Sequence, residues 1–145
     1  MNFKLFSRKV FYYETDKMGI VHHSNYLRWF EEARVYALEM AGLPFERVEA
    51  RGVLSPVLTA ECRYKLPFRF NEEFFVKAVI DDFGGAKFSV SYDVTDSEGV
   101  TRVTGSTSHC FVDVNMKPLR LKRTHPDIYE VYRELYEVGN DLYLS

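Results

Sequence analysis

The sequence predicts an α+β fold in which a curved antiparallel sheet of about five strands wraps one long helix. Three observations predict it. One sustained helical period runs from about Asn25 to Ala41. Four strand-like segments then follow with no comparable helix between them. No repeat, low-complexity tract or Pro/Gly/Ser linker divides the 145 residues, so one domain over 1–145 is expected.

Residues 3–11 alternate aromatic and aliphatic with charged side chains and read as a first strand. A polar loop follows, from Tyr12 to Gly19. Tyr26, Trp29, Phe30, Ala33, Tyr36, Ala37, Met40 and Ala41 then recur at steps of three and four, forming one broad helical face. Gly42 closes that helix as a C′ residue and Pro44 lies just beyond. Val53–Tyr64 is a strand whose early Pro56 argues for a sheet edge or a bulge. Glu73–Phe83 is the next, bounded by Pro67 and by Gly84-Gly85. Phe88, Val90, Tyr92 and Val94 alternate with polar neighbours in a third, and Asp96-Ser97-Glu98-Gly99 turns the chain into a long last strand, Val100–Val114. A short C-terminal helix starts at Pro126, capped by Thr124 or His125, with Ile128, Val131, Tyr132 and Leu135 on one side. Such a sheet leaves an outer face and edges that a second subunit would cover.

Composition narrows the function classes. The formal net charge of −2 lacks the basic excess of a general nucleic-acid binder. No charge-free run exceeds ten residues, too short for a membrane span, and charge enters the N-terminus too early for a signal peptide. Cys62 and Cys110 form no CxxC motif, so neither a disulfide framework nor a zinc ribbon is indicated. A cytoplasmic protein without a cofactor or metal is expected.

The segment that carries chemistry is the loop and helix start. It brings the Asp16 carboxylate to the first turn of the long helix, where unpaired N–H groups and a partial positive charge can hold an oxyanion. The pattern Tyr12-x-x-Thr15-Asp16-x-x-Gly19-x-Val21-x-His23-x-x-Tyr26, continuing to Glu31-x-x-Arg34, resembles the signature of the 4-hydroxybenzoyl-CoA thioesterase family, most of all its Tol-Pal-associated acyl-CoA thioesterase branch. The Val112-Asp113-x-x-Met116-Lys117-Pro118 segment fits too, and the likeness spans roughly residues 5–125.

The resemblance implies a hotdog fold, a homo-oligomer (dimer or tetramer) and hydrolysis of an acyl-CoA, or acyl carrier protein, thioester to the free acid. It carries the catalytic carboxylate onto Asp16, as nucleophile through a mixed anhydride or as general base for water. It carries polarisation of the thioester carbonyl onto the backbone N–H of His23, whose side chain is read as a capping or supporting group. Tyr12, Thr15, Gly19, Val21 and Tyr26 are its substrate-side positions. Lys117, Arg120, Lys122 and Arg123, with Lys87, are candidates for the CoA phosphates. Where the hydroxybenzoyl type has a basic run, this chain has Gly84-Gly85-Ala86, which favours the broader acyl-CoA branch.

Other readings stand beside these. A zinc site from His22, His23, His109, His125 and Asp16 needs ligands that converge, and adjacent histidines point apart. Cys62 shares a strand face with Leu58, Ala60 and Tyr64 and reads as core. Glu31 and Arg34 stand at i, i+3 spacing and read as an ion pair. A hydratase-dehydratase working through the His23 imidazole, and a non-enzymatic acyl-thioester binder or scaffold, are the alternative functions.

Overall fold

In the computed structural model, which describes residues 1–143, the aromatic stripe forms the helix α1 (Ser24–Met40). Its inner side buries Tyr26, Trp29, Phe30, Ala33, Ala37 and Leu38. The helix stops where Gly42 turns left-handed at φ +81°, its N–H donating to the Glu39 carbonyl at 3.0 Å. The Leu43 N–H reaches the Leu38 carbonyl at 2.9 Å, completing a Schellman ending.

Five strands form one antiparallel sheet: β1 (Phe6–Lys9), β2 (Val57–Tyr64), β3 (Glu73–Phe83), β4 (Lys87–Thr95) and β5 (Thr101–Cys110), in the spatial order β1-β3-β4-β5-β2. The middle of the sheet is a meander of two hairpins. The Asp96 carboxylate ties its second turn, accepting from the Glu98 and Val100 amides and from Arg102 Nε at 2.9 Å. β1 and β2 are the two edges. The early Pro56 delays β2, which starts at Val57 rather than Val53, and β5 ends at Cys110 rather than Val114.

Alternation along β4 sends Phe88, Val90, Tyr92 and Val94 to the core side. Phe30 of α1 stacks on Tyr92 at 4.2 Å between ring centroids. Phe88 meets Tyr132 of the C-terminal helix α4 (Pro126–Val138) at 5.1 Å. Both helices therefore pack on the same face of the sheet. Pro126 is the first residue of α4 and His125 its N-cap, as the sequence predicts. Two short helices are not predicted: α2 (Phe45–Ala50) and α3 (Leu121–Thr124). Among the described residues, no helix is long and apolar enough to cross a membrane.

β2 departs from the expected burial. Leu58, Ala60 and Tyr64 are exposed, and Cys62 is half-buried. β2 bonds to β5 on one side only, so its outer edge is open among the described residues. Apolar alternation places side chains on one face, but it does not reveal whether that face is covered.

One glycine has a steric purpose. A Cβ on Gly105 would meet the Phe30 ring and stand 2.6 Å from the Glu61 carbonyl oxygen. Gly105→Ala is therefore expected to cost about 2 kcal/mol by overpacking. At this chain length that lowers Tm by roughly 4–8 °C. Calorimetry showing an unchanged Tm would refute the close packing of α1 on β5.

Candidate active site

Glu14 organises the loop that carries Asp16. The carboxyl group is buried, with its side chain 3% exposed. Arg8 of β1 holds it with two hydrogen bonds of 2.9 Å, Trp29 Nε1 donates to it at 2.7 Å, and the Phe11 amide at 2.9 Å. Burial alone would raise its pKa; the bonds from Arg8, Trp29 and Phe11 outweigh that and hold it below the ordinary value of 4.5. The Glu14 carbonyl accepts from Asn25 Nδ2 at 2.9 Å and from the His22 amide at 2.8 Å. One residue thus ties β1, the loop and the start of α1 together. Arg8 also binds Glu32 at 2.9 Å, closing a Glu–Arg–Glu cluster between strand and helix.

Beyond Glu14 the loop turns tightly. Asp16 N–H donates to the Ile20 carbonyl at 2.9 Å, and the Asp16 carbonyl accepts from Gly19 at 3.0 Å. Gly19 adopts φ +78°, a conformation glycine takes without steric cost. The Asp16 Oδ1 accepts from the Met18 amide at 2.8 Å. Among the described residues Oδ2 has no hydrogen-bond partner. The Val21 amide reaches the Phe68 carbonyl at 2.8 Å, so the loop is pinned from the far side as well.

The amides at the start of α1 are nearly all occupied. His22 N–H bonds Glu14, Ser24 N–H bonds the His22 ring at 3.3 Å, Asn25 N–H bonds the His22 carbonyl at 2.9 Å and Tyr26 N–H the His23 carbonyl at 3.3 Å. Only the His23 N–H in this run has no partner among the described residues. The capping imidazole is that of His22, whose Nδ1 also lies 2.8 Å from Ser24 Oγ; the sequence assigns that part to His23. The His23 ring is exposed, 4.2 Å from the His22 ring and 6.2 Å from Tyr64.

Asp16 and His23 line one cleft of about 250 Å³ together with Val21, Tyr26, Tyr64 and Lys65. Tyr26 is deeply buried, which pushes its hydroxyl up to about 12 and keeps it neutral. The other expected substrate-side residues do not line it. Thr15 turns its hydroxyl back to the Tyr12 carbonyl at 2.7 Å, and Tyr12 lies exposed against Phe70. Gly19 shapes the loop. The wall from Tyr64 to Pro67 is missing from the sequence reading, because it comes from the end of β2 and the residues after it, 30 residues and more past the motif.

The basic candidates are also elsewhere. Lys87, Lys117, Arg120, Lys122 and Arg123 are exposed, and none lines the cleft; Lys65 is the cation that does. The Glu31–Arg34 pair does not form: Arg34 Nη1 donates to Tyr92 Oη at 3.0 Å, and Arg8 takes Glu32. The imagined zinc ligands are scattered, with His109 buried on β5 and His125 capping α4. Among the described residues, no three His, Cys, Asp or Glu side chains are grouped to hold a metal.

The chain is similar to known proteins in sequence and in fold. A Bacillus subtilis protein that carries the provisional name acyl-CoA thioesterase is 35% identical over 127 residues, 87% of this chain and 92% of its own. The 1,4-dihydroxy-2-naphthoyl-CoA hydrolase of Prochlorococcus marinus is 23% identical over 97% of this chain and 95% of its own. The crystal structure of a DHNA-CoA thioesterase from Staphylococcus aureus superposes with a TM-score of 0.88 at 30% identity, covering 95% of this chain and 93% of that one. These are hotdog-fold neighbours, and the sheet wrapped on α1 has that architecture. Residues 10–131 match the thioesterase-like superfamily, to which the chain belongs.

Proposed function

We propose that the protein hydrolyses an acyl-CoA thioester, with the Asp16 carboxylate and the His23 backbone N–H as its working groups. The observation that carries this reading is that His23, whose amide at the start of α1 has no partner among the described residues, lines the same cleft as Asp16. A thioester carbonyl seated there accepts a hydrogen bond from His23, and the helix end favours the negative charge that develops on it. Asp16 Oδ2 either attacks the carbonyl carbon or removes a proton from a water that does. In the first route CoA leaves as the thiolate and takes up a proton, and water then cleaves the mixed anhydride. In the second, the tetrahedral intermediate expels the thiolate directly.

Within the superfamily the motif favours the broad acyl-CoA branch, the one resembling the Tol-Pal-associated enzymes. The relatives' names cover acyl-CoA and 1,4-dihydroxy-2-naphthoyl-CoA. Lys65, at the cleft, joins Lys87, Lys117, Arg120, Lys122 and Arg123 as a candidate for the CoA phosphates. The open β2 edge, with its exposed Leu58 and Tyr64, supports a homo-oligomer paired along that strand.

A pair of substitutions tests the oxyanion reading. His23→Ala keeps the amide and is expected to retain most of the rate. His23→Pro deletes it, at a position just before a helix where proline is tolerated. Its expected loss is roughly 10²–10³ in kcat, the cost of one oxyanion donor. Thiol release from acyl-CoA is the readout, with helix content checked by circular dichroism because proline also restricts His22. Equal losses in the two variants would make the imidazole the working group, and enoyl-CoA hydration would then be the activity to measure.

A further inference from the structure

A second cavity, of about 240 Å³, lies between the C-terminal half of α1, the sheet and α4, and shares no lining residue with the Asp16 cleft. Its walls are mainly apolar, with Leu38, Phe45, Phe88, Val90 and Leu135 among them. Among the described residues Arg34 is its only cation, and the one carboxylate in its lining, Glu31, is exposed to solvent.

Arg34 lacks the counter-ion that a partly buried guanidinium ordinarily has. Among the described residues, no carboxylate stands within ion-pair distance of it, and the nearby Glu32 is held by Arg8. Its partner is instead the Tyr92 hydroxyl, which lies 2.6 Å from Thr107 Oγ1. That oxygen in turn sits 2.8 Å from His109 Nε2. Every member of this chain is neutral at pH 7. Burial raises the Tyr92 hydroxyl, and burial with the nearby Arg34 charge brings His109 down to about 4. The chain orients the guanidinium without neutralising it. A partly buried cation at the wall of an apolar cavity, with no counter-ion of its own, favours an anion that meets it.

We propose that this cavity binds a small carboxylic acid, its carboxylate on Arg34 and its hydrocarbon body among the apolar side chains. At about 30 Å³ per water-sized group, the space admits roughly eight such groups, the size of a medium-chain fatty acid or a substituted benzoate. A few polar groups fixing the head of an apolar ligand is the usual construction of a small-molecule site. Within one chain the site shares no residue with the Asp16 cleft, and the proposal stands whether or not Asp16 is the catalytic carboxylate.

Calorimetric titration of the full chain with octanoate and with benzoate tests it, and the tighter of the two identifies the body the cavity accepts. One acid is expected to bind per chain, equally well in Asp16→Asn. Arg34→Gln is expected to weaken binding at least tenfold, while Arg34→Lys retains part of it. Ile80→Phe, which fills the cavity without touching the charge, is expected to weaken binding too. 1-Octanol, with the same tail and no charge, is expected to bind at least tenfold more weakly than octanoate. If Arg34→Gln fails to fold, the Lys and Ile80→Phe variants decide. Unchanged affinity in Arg34→Gln, loss of binding in Asp16→Asn, or no binding of either acid would overturn the proposal.

Discussion

Asp16→Asn is expected to lower kcat for thioester hydrolysis by about three orders of magnitude, within the range that loss of a positioned base or nucleophile spans. The amide is nearly the same size as the carboxylate, and its oxygen can still accept from the Met18 N–H, so the loop keeps its turn. Thermal stability and acyl-CoA binding should therefore survive. That combination separates a chemical loss from a structural one. Mass spectrometry must show that the new amide is intact, since its hydrolysis would restore the carboxylate. A variant with near-normal kcat would remove Asp16 from the mechanism.

The next largest effect is expected at Glu14, through structure. Glu14→Gln leaves the Arg8 guanidinium facing an uncharged, partly mismatched partner. Breaking a buried pair costs about 3–5 kcal/mol, and the surviving Arg8–Glu32 bonds place this loss at about 3 kcal/mol. The pH dependence gives the charge its own signature. The folded-state pKa of Glu14 is depressed below 4.5, so its stabilisation is complete above the unfolded value and disappears as pH falls through the folded one. Denaturant unfolding should then show a gap between wild type and variant that is constant near neutrality and narrows in acid below about pH 4.5. A gap of equal size from pH 7 to pH 3 would show that shape, and not charge, holds the loop. Because the loop carries Asp16, kcat should also fall, with KM changing less.

How far the sequence reveals this molecule depends on how local each signal is. α1 is legible to within a residue because five helical turns repeat one aromatic period and Gly42 ends it. β3 and β4 are legible because Gly84-Gly85 and the Asp96 turn mark their ends. α2 and α3 are not, since six and four residues are too few to establish a helical period. That Asp16 and His23 come together at one cleft is legible because they belong to one contiguous motif. Glu14 sits inside the same motif yet reads as an ordinary loop charge, because what buries it arrives from Arg8 on a strand and Trp29 on a helix. Tyr64 and Lys65 are invisible for the same reason. Their place at the cleft follows from where β2 ends, and no spacing in the sequence encodes that.

The pinning of the loop to Phe68 also bears on how the protein is made. Every residue of the Tyr12-to-Arg34 motif leaves the ribosome well before the segment that fixes it. The carbonyl that accepts from Val21 comes 47 positions after it, and the β3 residues Glu73–Val76 come 64 to 70 positions after the β1 residues they pair with. A nascent chain that has emerged only as far as Tyr64 holds both proposed working groups and the end of β2. It has neither the neighbouring strand that holds Arg8 in place nor the far-side anchor of the loop. The proposed working groups are therefore fixed in place only when the central hairpins close and set β1 and β2 on opposite margins of one sheet.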